Sequence, residues 1–229
     1  MNAGSTRRPV PKERTAVKLR LASILVLALL GGCRHVGDVT SDNGGGIYAV
    51  RSACPIVGIP AGTGDITLFD PAASKDASAI DVSATITNLR STCNDAGAEI
   101  VSTVTFDVIA VRRSAGPARQ VVLPYFDVVA QGGTDVVAKH VGAVGLDFAA
   151  GSLRAQTSAQ TVARVSRAAA TLPENVRKTL TRQRKAGDAD AAVDPLSDPA
   201  IRDAVAKATF EQLVGFQLSQ DQLRYNVTR

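Results

Sequence analysis

The sequence predicts a mainly β domain, an Ig-like antiparallel β-sandwich followed by a C-terminal appendage of two helices. Three observations point there. Apolar and polar residues alternate with period two over several stretches, as expected of half-buried strands. Gly- and Pro-containing turns separate those stretches at short intervals, the spacing of an all-β sandwich. Hydrophobic residues make up 45% of the chain, aromatics only 4%, and Trp is absent. The core must therefore be built from Val, Ala, Ile and Leu, and the abundance of Val and Thr favours strands.

Short strands are expected near 55–59 and 65–69. Gly62-Thr63-Gly64 between them lacks the third Gly and the following helix of a dinucleotide fingerprint, so it reads as a turn. Val82, Ala84 and Ile86 then alternate with Asp81, Ser83, Thr85 and Thr87. Val104, Phe106, Val108 and Ala110 alternate with Thr103, Thr105 and Asp107, and Ser114-Ala115-Gly116-Pro117 turns the chain. Val122, Phe126, Val128 and Ala130 fall on the opposite side of their strand from Tyr125 and Asp127. Pro124 cannot donate to a ladder, so that strand is expected at an edge or at a bulge. Gly132-Gly133 breaks the run, and Val144, Leu146 and Phe148 resume it. After Ala149-Ala150-Gly151-Ser152, residues 153–165 can return as a strand with Arg154, Gln156, Ser158 and Gln160 on its wet face.

Beyond Ala168 the pattern changes. Pro173 suits the first turn of a helix running to about Lys185, with Gly187 as its stop. An acidic loop from Asp188 to Asp198 follows, and Asp198 is expected to cap a second helix starting at Pro199. That helix carries Ile201, Ala204, Val205 and Ala208 on one face and Phe210, Leu213 and Val214 on another, with a bend near Gly215. The tail from Leu218 to Val227 reads as a last strand.

Charge is distributed unevenly. The formal net charge is +5 and the sequence pI about 9.4. Before Cys33 stand Arg7, Arg8, Lys12, Arg14, Lys18 and Arg20 against one acid, Glu13, which accounts for the whole surplus. The rest of the chain is neutral on balance, and nothing in it predicts a nucleic-acid surface. Lys18 and Arg20 precede the apolar run Leu21 to Leu30, too short for a bilayer span, which needs about 20 residues. It has the length of a signal-peptide core.

The segment Leu30-Gly31-Gly32-Cys33 resembles the lipobox of bacterial lipoproteins: an aliphatic residue, two small residues and a cysteine. The resemblance implies cleavage between Gly32 and Cys33, acylation of the Cys33 thiol and amine, palmitate included, and anchorage through several acyl chains. No other cofactor is expected. Residues 1–32 are then the signal peptide. Arg34, rather than Asp, follows the cysteine; in Gram-negative lipoproteins this implies the outer membrane, with the protein facing the periplasm. Thr6-Arg7-Arg8-Pro9-Val10-Pro11-Lys12 is a loose match to a twin-arginine motif whose apolar run starts too far downstream. Initiation at Val17 instead of Met1 would leave a compact signal from Val17 to Gly32.

Residues 33–48, with Ser41-Asp42-Asn43-Gly44-Gly45-Gly46, read as a lipidated cysteine and flexible tether, with a mean reach of about 20 Å. Residues 49–168 are expected as the β domain and 169–229 as the appendage. With Cys33 consumed by lipid, Cys54 and Cys93 are left as a pair, and an even pair in an oxidising compartment reads as a disulfide.

No catalytic, metal or nucleotide constellation emerges. His140 stands without a sequence neighbour to tune it, and His35 lies beside the anchor. Asp188, Asp190 and Asp194 alternate like a calcium loop, but the sixth position is Val193 and the twelfth Pro199. The strongest surface feature is Arg177, Lys178, Arg182, Arg184 and Lys185, five cations on about two helical turns. They read as a solvated face paired with the acidic loop, or as a contact for anionic lipid headgroups or an acidic partner. Three functions remain open. The first is a non-catalytic interaction or scaffolding module of the envelope, with an unknown envelope protein as partner. The second is a small-molecule or lipid carrier with an apolar pocket. The third is an enzyme such as a hydrolase.

Overall fold

The computed structural model describes residues 52–182, 184 and 187–228. Its strands are β1 (Ile56–Gly58), β2 (Asp65–Phe69), β3 (Ile80–Asn94), β4 (Glu99–Arg112), β5 (Arg119–Gln131), β6 (Asp135–Phe148), β7 (Arg154–Ser166) and β8 (Phe210–Phe216). Between β7 and β8 lie helices α1 (Arg167–Ala170), α2 (Glu174–Thr181) and α3 (Pro199–Lys207), and α4 (Gln220–Thr228) follows β8. The chain is mainly β.

The strands form two four-stranded sheets, in the orders β1-β8-β5-β6 and β2-β3-β4-β7. All pairings are antiparallel except β1 with β8. In an Ig domain the second hairpin partner crosses to the other sheet. Here β2, β3 and β4 remain neighbours in one sheet, and β5 opens the other. The five long strands run thirteen to fifteen residues, well beyond the alternating stretches that reveal them in sequence.

Alternation decides what enters the core. Val82, Ala84 and Ile86 of β3, Val104, Phe106 and Val108 of β4, and Val144, Leu146 and Phe148 of β6 are all buried, as the period-two pattern predicts. They share one cluster with Leu123 and Tyr125 of β5 and with Val214 and Phe216 of β8, so both sheets contribute to one interior. A second cluster, with Ile100, Val129, Ala163, Val165, Ala170 and Phe210, fills the end near the disulfide.

A polar layer lies between the two clusters. On β4, Ser102 stands between Ile100 and Val104; on β5, Asp127 between Tyr125 and Val129; on β8, Gln212 between Phe210 and Val214. Thr161 of β7 completes it, and all four are buried. The Asp127 carboxylate accepts from the Thr161 hydroxyl and, at 3.1 Å, from Nε2 of Gln212. A buried carboxylate is tolerable only when donors replace its lost hydration, and these two come from opposite sheets.

Arg112 is the other buried charge, 5% exposed at the end of β4. Its guanidinium donates to the carbonyls of Ser152, Pro117, Gly116 and Ala149 and lies 5.4 Å from the centre of the Phe148 ring. One fixed fork of donors thereby ties the β4–β5 turn to the β6–β7 turn. Asn88 adopts φ +53 where β3 is bulged against β4. Asn tolerates that left-handed conformation better than most residues, and its Nδ2 donates to Asp107 at 2.8 Å.

The expected disulfide is present: Cys54 and Cys93 are bonded across a sequence separation of 39. Asp198 caps α3 as expected, accepting from the amide of Ala200 at 2.8 Å.

Several expectations are corrected. On β5 the partition of side chains holds but its sense is reversed. Tyr125 and Asp127 point inward, while Val122, Phe126 and Val128 lie on the outer face; Ala130, past the register shift, departs from that set and is buried. Pro124 sits in a central strand, between β8 and β6. It is accommodated because the β8 ladder stops at Tyr125↔Phe216, leaving the proline nitrogen just past its end, where the Pro124 carbonyl accepts from Gln217. The register shift of β5 lies elsewhere, at Val129/Ala130. The second helix ends at Lys207, with Thr209 bonding back to the Val205 carbonyl. Residues 210–216 then form β8, because Phe210, Gln212, Val214 and Phe216 alternate inward. A Cβ at Gly215 would meet the Thr63 side chain and, at 2.7 Å, the Phe126 ring. The tail is helix α4 rather than a strand; it packs on β2 through the Phe69–Tyr225 ring contact and Asn226. The described residues of both 49–168 and 169–229 fall within one unit, 49–229.

Two stability measurements follow. Cys93→Ser, or reduction of the wild type, is expected to lower stability by about 4 kcal/mol, from the closure entropy of a loop near 40 residues, read by urea unfolding. Thr161→Val removes a donor from buried Asp127 and is expected to cost about 1–3 kcal/mol. Asp127→Leu, Thr161→Val and Gln212→Leu together are expected to cost less than Thr161→Val alone, because the buried carboxylate is then removed with its donors.

Candidate functional site

The two sheets present outer faces of different chemistry. On the β2-β3-β4-β7 sheet the outer side carries Ser83 and Thr85 on β3, Thr105 and Asp107 on β4, and Gln156 and Ser158 on β7. These groups bond one another. Thr85 donates to Asp65, and Asn88 and Ser158 both donate to Asp107. The hydrogen bond from Ser158, then that from Asn88, holds the Asp107 carboxyl below the ordinary carboxylate range. Ile109, Val111 and Val162 interrupt the polar groups on this face, 37%, 42% and 46% exposed.

The outer side of the other sheet carries an apolar patch at its middle, flanked by the hydrogen-bonded pair Gln120–Asp147 and by Lys139 and Glu211. Register places Phe126 beside Val141 and Val128 beside Leu213. Val122 is 57% exposed and Val141 51% exposed. Lys139 lies against the Phe126 ring, 6.0 Å from its centre. Such a face has no counterpart in a monomer that buries all its sheet surface, and patches of this kind mark contacts. The reversed sense of β5 creates it, and Val122, Phe126 and Val128 were the residues in the sequence that signalled it.

The basic segment is largely engaged with acids of its own neighbourhood. Arg177 pairs with Glu174 at 2.6 Å and Lys178 with the same carboxylate at 3.7 Å. Arg182 is paired with Asp190, which Arg184 approaches at 3.5 Å. Helix α2 stops at Thr181, four residues short of the expected end, and Arg182 is extended. Thr179 and Thr181, weak helix formers, bond back to the carbonyls of Asn175 and Arg177. The Arg177 hydrogen bond holds the Glu174 carboxyl below its ordinary range. Burial works to raise that of Asp190, but the hydrogen bond and charge of Arg182, with Arg184, outweigh it, and the net shift is downward. Lys185, Gly32 and Cys33 lie outside the described residues.

The remaining candidates stay apart from one another. His140 is exposed on β6, opposite Asp127 in the register. Asp190 is taken up by the arginines, and Asp194 accepts from the amide of Leu196 to start a short 3-10 turn. Among the described residues no group of three or more His, Cys, Asp or Glu side chains could hold a metal. Surface depressions of about 380 Å³ beside Arg119, Asp147 and Phe148, and of about 260 Å³ beside Ile80, Ser83 and Arg113, lie outside the space between the sheets. No family model, curated protein or solved structure matches the chain.

The pairing of the cations generates a prediction. Depressed carboxyl pKa values mean that Glu174 and Asp190 remain ionised at neutral pH, and their ion pairs are lost only as pH falls through those lowered values. Removing the acids at pH 7 should release the cations. Glu174→Gln with Asp190→Asn is expected to bind anionic phospholipid vesicles about thirtyfold more tightly than wild type, two negative charges being removed at about 1 kcal/mol each, in a sedimentation assay at low salt.

Proposed function

We propose that the chain is a membrane-anchored, periplasm-facing interaction or scaffolding lipoprotein of the cell envelope that performs no catalysis. The observation that carries this reading is the apolar patch of Val122, Phe126 and Val141 on the outer side of β5 and β6, with Val122 and Val141 more than half exposed. A module that works by contact needs a surface it does not use for its own core, and this one has it. The disulfide supports an oxidising compartment. The lipobox-like Leu30-Gly31-Gly32-Cys33 supports a lipid tether and outer-membrane sorting through Arg34. The neutral balance of charge beyond Cys33 supports a protein or lipid neighbour over nucleic acid.

Two sheets sharing one interior support a β-sandwich; the Ig-like comparison extends to the layers and not to the strand order. The space between the sheets is filled by Phe106, Phe148, Phe216, Leu123 and Leu146, each nearly or fully inaccessible, which favours contact over carriage of a ligand.

Photo-crosslinking in intact cells tests the reading. A benzophenone side chain at Val122 or Val141 is expected to give discrete higher-mass adducts, and one at Ser83 on the opposite sheet to give few. Equal adducts from both faces, or none from either, would contradict it.

A further inference from the structure

Each sheet has two edges, and three of the four are guarded. β1 is three residues long. β2 is five residues long, irregular at Leu68/Phe69, and has the Asp65 carbonyl occupied by Asn226 of α4. β6 skips Val137 in its register with β5 and carries Asp135, Lys139 and His140 along the exposed part. Short length, bulges, covering elements and inserted charges are the devices by which natural sheets prevent added strands.

β7 is long and unbulged, and its charges stand only towards its ends. It pairs with β4 without interruption from Glu99↔Ser166 to Val111↔Arg154. Among the described residues its other edge is bonded to no strand. It contains no proline, and the stretch Ala155 to Ala163 carries no charge. Arg154 and Arg164 bracket that stretch, both on the outer face, and Arg167 follows at the start of α1. Glu99 reaches Arg164 at 3.6 Å, both side chains being 61% exposed.

We propose that the free edge of β7 receives an extended segment of a partner protein, added antiparallel or parallel as a fifth strand of the β2-β3-β4-β7 sheet. Backbone amides and carbonyls of β7 supply the affinity, as in other strand additions. The arginines select the partner: its segment is uncharged and β-forming in the middle, with carboxylates near its ends. An antiparallel second copy of β7 registered on the uncharged stretch Ala155 to Ala163 would set Arg154 opposite Arg164 at both ends, so in that register charge disfavours the chain as its own partner. This inference rests on the contact-module reading and names the kind of partner.

The test uses the full chain in detergent and a fluorescent peptide of alternating Thr and Val with two aspartates at each end. A matched peptide with lysine ends is the control. Wild type is expected to bind the aspartate peptide at least tenfold more tightly by anisotropy. Arg154→Glu with Arg164→Glu is expected to reverse that preference, a gain of binding that misfolding cannot produce. Equal affinity for the two peptides, no saturable binding, or a preference unmoved by the reversal overturns the proposal. Self-association of the chain that blocks the peptide also overturns it, by making a second copy the occupant. If the peptides fail while the Val122 crosslinks persist, strand addition alone is lost; if both fail, the underlying reading is lost with it.

Discussion

Everything else in the molecule depends on which way β5 faces. With Leu123, Tyr125, Asp127 and Val129 turned inward, a carboxylate enters the core. It is held there because Thr161 approaches from one sheet and Gln212 from the other. That choice sends Phe126, Val128 and Val122 outward, into the apolar patch of the outer face. A strand whose two faces are comparably hydrophobic can be buried either way round, and burying the face with the acid carries a cost that only paired donors offset. The fold gives up some stability in burying the acid, and it leaves an apolar patch outside.

The same polar layer divides the interior. Four strands each interrupt their inward apolar run with one polar residue, staggered by two positions between neighbouring strands, and an apolar cluster lies on either side. Oδ1 of Asp127 and Oε1 of Gln212 have no hydrogen-bond partner among the described residues, so the layer contributes less to stability than an apolar one would. Its physical value is directional. Hydrogen bonds across the interior specify one alignment of the two sheets, whereas aliphatic side chains tolerate several.

Much of this was legible in the residues and some was not. Val82, Ala84 and Ile86, or Val104, Phe106 and Val108, alternate against hydroxyls and acids, so both the strand and its buried side follow from pattern alone. The Cys54–Cys93 bond followed from counting thiols. On β5 the pattern located the faces but could not orient them, because Tyr and Asp look like surface residues until their partners are known. Residues 210–216 misled for a different reason: Phe210, Leu213 and Val214 fit a helical period nearly as well as a strand's, and seven residues are too few to separate the two. The open edge of β7 could not be seen at all from Ala, Gln, Thr and Ser; an edge is a property of strand order. The basic run after Pro173 was legible as charge, and so was the pairing of its end with the acidic loop, where Asp190 engages Arg182 and Arg184; Glu174 of α2 itself takes Arg177 and Lys178.

The functional account turns on the chain being tethered through its cysteine, since the oxidising compartment, the discounting of the positive surplus and a contact surface near a membrane all proceed from that. Intact-mass measurement of the protein purified from the membranes of its native cell tests this most directly. The expected product begins at Cys33 and carries the added mass of acyl chains, with Cys54 and Cys93 oxidised. A product that retains residues ahead of Cys33 and has no acyl mass would contradict the account.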